Sequence, residues 1–95
     1  MTRPALTPAR RRVLTLRHRD RCWAEALDTL FDADGMGLFY LLCLAGEGVG
    51  TRQQALQQFG EACEELLLAM QEARPEEGRV IRVRWEAWFA KWKAT

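Results

Sequence analysis

Six arginines crowd a short stretch near the start of the chain: Arg10, Arg11, Arg12, Arg17, Arg19 and Arg21. A guanidinium is always charged and presents a planar fork of donors that matches phosphate or carboxylate oxygens. Such a cluster can neutralise the phosphates of a nucleic acid and release their counterions. It can equally hold an acidic protein surface. On a helix, Arg10, Arg17 and Arg21 form one row while Arg12 and Arg19 fall elsewhere, so the positive charge is spread over a wide face. These six are the candidate residues for binding a partner or phosphates, with pairing to the acidic middle of the same chain or a second one as the alternative.

The second conspicuous stretch is "RVRWEAWFAKW" at 82–92, which holds three of the four tryptophans. On a helix, Trp85, Trp88, Phe89 and Trp92 share one side. Each large aromatic can bury about 150–250 Å². The face can cap the domain's own core, or it can serve as a partner or homodimer interface, where tryptophan is over-represented among anchors. Stacking on bases is a third use, to which a packed one-sided stripe is poorly suited.

Covalent and metal chemistry find little material. The chain has no serine and a single histidine, His18, with no cysteine or acid at ligand spacing. Cys22, Cys43 and Cys63 lie on apolar stretches, where cysteine serves as a small hydrophobe. Their odd number and wide spacing argue against a disulfide framework and for a reducing compartment. "GEGVGT" lacks the lysine of a phosphate loop. "DADG" fails as a calcium loop, because the first and twelfth ligand positions would be Leu30 and Leu41. No catalytic residue, metal site or cofactor is expected, and the chain reads as a non-enzyme.

Charge comes in blocks. Residues 1–21 carry +6, residues 22–78 carry −9 and residues 79–95 carry +4, for a net charge of +1. Blocks of this kind concern partners or self-association. Twelve arginines against two lysines, with no asparagine and one isoleucine, suggest a GC-rich bacterial or phage genome. The longest apolar run, "MGLFYLLCLAG" at 36–46, is about half the roughly 20 residues of a membrane span. No apolar segment of the kind a secretory signal needs follows the basic start. A cytoplasmic, non-membrane protein is the expectation.

These residues need elements to position them. Residues 1–7 read as a flexible N-terminal arm and 8–95 as a single helical domain. Thr7-Pro8 is an N-cap followed by proline at the first helical position. From there one helix is expected over 8–31, its apolar stripe interrupted only at Asp20. A buried, central second helix is expected at 36–46. Thr51 and Gln54 make a capping-box pattern for a third helix over 51–73, which Gly60 can bend or split and which Arg74-Pro75 must end. A fourth is expected at about 84–93. Residues 79–84 stay open between helix and strand, because "RVIRVRW" alternates in part as a strand would.

The fold class is therefore mostly α, a compact domain of three to four helices, with a short β-hairpin near 79–85 as the variant. That variant, with Gly60 as the turn of a helix-turn-helix, would be winged-helix-like. Its recognition helix would carry Glu61, Glu64, Glu65 and Glu72 and would repel phosphates. No motif is specific enough to identify a family. The expected function is a small protein–protein interaction module: an adaptor, inhibitor or chaperone-like regulator. The alternative is a nucleic-acid-binding regulator that contacts phosphates through the first-helix arginines.

Overall fold

The computed structural model describes residues 6–32, 43 and 51–94. Among these the chain forms four α-helices and no strand: α1 (Pro8–His18), α2 (Asp20–Leu30), α3 (Arg52–Ala73) and α4 (Pro75–Ala94). The mostly-α class holds. The hairpin near 79–85 does not form, and with it goes the wing of the winged-helix variant. Of the arm expected at 1–7, only Leu6 and Thr7 are described, both exposed and outside any helix. Of the helix expected at 36–46, only Cys43 is described, and it is helical but exposed, not the buried small hydrophobe expected there.

The start signals act as their chemistry requires. Thr7 accepts from the Arg10 backbone N–H at 3.1 Å, and Pro8 opens α1 where its missing N–H is not needed. At α3 the Thr51 hydroxyl accepts from the Gln54 N–H at 3.1 Å, and the Gln54 side chain accepts from the Thr51 N–H at 2.9 Å. The capping box is complete, with two orphan donors satisfied reciprocally.

The single helix expected over 8–31 is two. Arg19 is extended, at φ −121° and ψ 106°, and is at once the C-cap of α1 and the N-cap of α2. The break falls beside Asp20, the one residue that interrupts the apolar stripe. It places Asp20 in the first turn of α2, where a carboxylate favours the helix dipole. It also lets Asp20 reach the Arg74 guanidinium at 2.7 Å, while the Trp23 ring lies under that guanidinium at 4.7 Å.

Gly60 does not split the third helix, so no helix-turn-helix forms there: α3 runs unbroken for 22 residues. It packs against each of the other three helices and is the central element of the described fold. Leu67 and Met70 on α3, with Leu30 at the end of α2, are fully buried. α3 ends at Arg74, and Pro75 immediately starts α4, which absorbs all of 79–84. Proline at the first position and Glu76 and Glu77 in the first turn suit a helix start. The sharp reversal is possible because Gly78 is buried against α3. A Cβ on Gly78 would lie 2.6 Å from the Gln71 Cα.

Polar contacts hold α3 and α4 antiparallel along their length. Arg82 forms a two-pronged ion pair with Glu64 at 2.8 and 2.9 Å and donates through Nε to the Gln71 side chain at 2.6 Å. At the far end Arg52 donates to the Trp92 carbonyl at 3.2 Å. The α2 helix is tied in by the Trp85 indole N–H, which donates to the buried Leu30 carbonyl at 2.7 Å.

Candidate functional site

The six arginines of 10–21 do not act as one surface. On α1, Arg10 and Arg17 sit one turn to either side of Val13, which is buried against the core. That position carries them over the C-terminal end of α3. Arg10 pairs with the Glu72 carboxylate at 3.2 Å. Arg17 reaches the carbonyls of Glu72 and Ala73, each at 3.4 Å. Those carbonyls have no partner inside the helix, and a cation there also meets the negative end of its dipole. On α2, Arg21 pairs with Glu25 at 3.3 Å, both side chains well exposed.

Arg11, Arg12 and Arg19 differ. All three are exposed, and none forms an ion pair among the described residues. Arg11 and Arg12 border a groove of about 480 Å³ between α1, α2 and α3, whose lining includes Thr15, Leu16, Ala26 and Leu66. The hydroxyls of Thr15 and of Thr29, also in the groove, donate to the carbonyls of Arg11 and Glu25 at 2.9 and 3.0 Å. Their protons are thus already committed within the helices, a back-bonding habit of helical threonine. The acid on the α2 edge of the groove, Glu25, is the one that pairs with Arg21. The groove therefore has an apolar floor and, on its α1 edge, two cationic side chains.

The aromatic set also divides. Trp85 and Phe89, for which the sequence left core and interface both open, are buried, and their rings stack at 4.8 Å between centroids. They belong to the core, which removes them from any docking face. Trp88 is half-buried, edge-on to Phe31 at 5.9 Å and close to Phe59 at 6.3 Å. Trp92 is 37% exposed and lies against Trp88 at 6.2 Å.

Cys63 is buried on α3, and burial, with Asp32 as a lesser cause, pushes its thiol up to about 12. A thiol so held is no nucleophile at neutral pH. Cys22 is half-buried in the groove, and His18 is exposed on α1. Among the described residues no group of three His, Cys, Asp or Glu is placed to hold a metal ion, and no helix is long and apolar enough to cross a membrane.

Two features escaped the sequence. The Arg17 bond to the end of α3 has no local signal, because its partner carbonyls lie 55 and 56 residues away. The groove needs the break at Arg19, which only the stripe interruption at Asp20 hinted at. Comparison with protein-family models, curated proteins and solved structures finds no match for this chain.

Proposed function

We propose that the chain is a non-enzymatic, cytoplasmic protein–protein interaction module that holds an acidic segment of a partner through Arg11 and Arg12. The observation that carries this reading is the division of the arginines. Arg10 and Arg17 are engaged with α3, whereas Arg11 and Arg12 are exposed at the edge of an apolar groove whose own acid, Glu25, pairs with Arg21. An unpaired guanidinium fork is matched by a carboxylate. The apolar floor of Leu16, Ala26 and Leu66 takes a small aliphatic side chain beside it. A segment with one or two carboxylates next to a leucine or valine fits both features.

A nucleic-acid-binding regulator is the second reading, favoured by the same unpaired Arg11 and Arg12 together with Arg19. The acids of α3 count against it, since Glu61 and Glu65 are exposed on the helix that borders both α1 and the groove. Phosphates tracking beyond the three arginines would meet them.

Photo-crosslinking in the native cell separates the two. A photoreactive residue at Thr15 is expected to capture one protein at a peptide rich in Asp or Glu, and Arg11→Glu with Arg12→Glu is expected to abolish the capture. Labelled mixed-sequence DNA and RNA, titrated over salt, are expected to bind only at low ionic strength. Tight binding at physiological salt with a steep slope that the same substitutions flatten would instead assign the arginines to phosphates.

A further inference from the structure

The two most exposed large apolar side chains among the described residues are Val80, at 68%, and Val83, at 65%. Both lie on the side of α4 turned away from Trp85 and Phe89. With the exposed Ala87 they recur at three- and four-residue steps, the spacing of a coiled-coil seam. Valine is among the weaker helix formers, so two exposed valines in one row gain nothing for α4 alone. Charged residues flank the row on both sides: Arg79 and Glu86 on one, Glu77 and Arg84 on the other. All four are exposed.

We infer that this face pairs with the same face of a second copy of the chain, antiparallel, with Val80 of each copy against Val83 of the other. In that register Arg79 stands beside Glu86 of the second copy, and Glu77 beside its Arg84. Two-fold symmetry repeats each pair, so all four flanking contacts are attractive. The neighbouring registers fail. A shift of one heptad in one direction sets Glu86 against Glu86 and Arg84 against Arg84. The opposite shift sets Arg79 against Arg79 and Glu77 against Glu77. A parallel arrangement puts Arg79 beside Arg84.

The charges are available for this use. Glu86 meets Arg82 of its own chain only at 3.5 Å, and Glu77 meets Arg74 at 3.8 Å. A carboxylate has acceptor sites for more than one donor. Arg84 lies with its guanidinium 4.8 Å from the Phe31 ring centre and keeps its donors for a carboxylate. Arg79 has no ion pair among the described residues. The seam is short, so the dimer is weak and depends on concentration. It lies on α4, away from the α1 groove, and stands or falls independently of the function proposed above.

Sedimentation equilibrium of the full chain from about 1 µM to about 1 mM tests it. The wild type is expected to pass from monomer to dimer across that range. Val80→Lys with Val83→Lys is expected to abolish the dimer while leaving the melting curve in place. Arg79→Glu alone sets a carboxylate against Glu86 of the other copy, and Glu86→Arg alone sets a second guanidinium against Arg79. Each is expected to weaken the dimer by about tenfold. In a mixture of the two, position 79 of the first variant (a carboxylate) faces position 86 of the second (a guanidinium), and Glu86 of the first faces Arg79 of the second. Both contacts become guanidinium–carboxylate pairs, and a heterodimer is expected, seen by native mass spectrometry of the two distinct masses. A monomer throughout the range would overturn the inference. So would a dimer indifferent to the valine substitutions, or single variants that do not complement each other.

Discussion

Arg17 on α1 and Arg82 on α4 come from the two basic ends of the chain, and each lies next to a buried apolar stripe. Their neighbours behave differently. Around Arg82 the aromatic residues Trp85 and Phe89 are core, and the guanidinium itself ties Glu64 and Gln71 of α3. The basic end at α4 is therefore largely committed to the fold on its inner side. Around Arg17 the commitment is one-sided. Arg10 and Arg17 are bound to the end of α3, whereas Arg11, beside the groove with α2, and Arg12, between that groove and the hollow it shares with Glu65 and Glu72 of α3, form no ion pair among the described residues. What decides an arginine's use is which flank of the stripe it borders and whether a free acceptor stands across from it. Its place in a run of arginines decides nothing.

The largest effect that could break this contrast lies in α4. Trp85→Ala should cost about 3–5 kcal/mol in urea unfolding, the usual range for emptying a large aromatic site. Trp85→Phe keeps most of the packing but strands the Leu30 carbonyl, and should cost about 1–3 kcal/mol. A small loss for the alanine variant would mean that α4 does not close the core.

Gly78→Ala comes next. The added methyl would meet the Gln71 backbone at 2.6 Å, and separating the two helices to admit it should cost about 1–3 kcal/mol. Gly60→Ala is the control. Its Cβ would meet only the edge of the Phe89 ring at 3.2 Å, and the helix propensity gained, about 1 kcal/mol, offsets that crowding. Equal losses at the two glycines would deny that the α3–α4 turn depends on close approach.

The Arg82 contact sharpens the comparison through pH. Hydrogen bonding from Arg82 holds the Glu64 carboxyl below its ordinary value of about 4.5. Because the folded-state value is depressed, the stability it lends is complete above pH 4.5 or so and is lost as pH falls through the lower folded value. The Glu64 side chain is 46% exposed, so screening keeps the effect to about 1 kcal/mol. Thermal melts of wild type and Glu64→Gln should differ at pH 7 and converge toward pH 3. A constant offset would show that the charge is not what holds the pair.

Much of this fold is legible in local chemistry. The Thr7-Pro8 start, the Thr51–Gln54 box and the stop at Arg74-Pro75 each rest on neighbours within four residues, and each is formed. The ambiguity at 79–84 has a physical source. Val80 and Val83 face outward while Ile81 and Trp85 face inward, so a helix apolar on two sides imitates the alternation of a strand. The one-helix reading of 8–31 failed because the contacts made on either side of the break at Arg19, among them the Asp20–Arg74 bond across 54 residues, are distant in sequence and leave no local pattern. The six-arginine cluster was visible as composition, but its division is set by the position of Glu72 and the end of α3, which no local pattern reports.

The smallest expected stability change carries the central claim. Arg11→Ala with Arg12→Ala should shift unfolding by under about 0.5 kcal/mol, as exposed substitutions without partners do. Arg10→Ala with Arg17→Ala, two residues of the same types on the same helix, should lower it by about 1–2 kcal/mol through the lost contacts at the end of α3. The most direct measurement sets these two double variants side by side, in urea unfolding and in crosslinking from Thr15. The account predicts that the first keeps its stability and loses the crosslinked partner, and that the second loses stability and keeps the partner. Equal destabilisation by both, or a partner indifferent to Arg11 and Arg12, would contradict it.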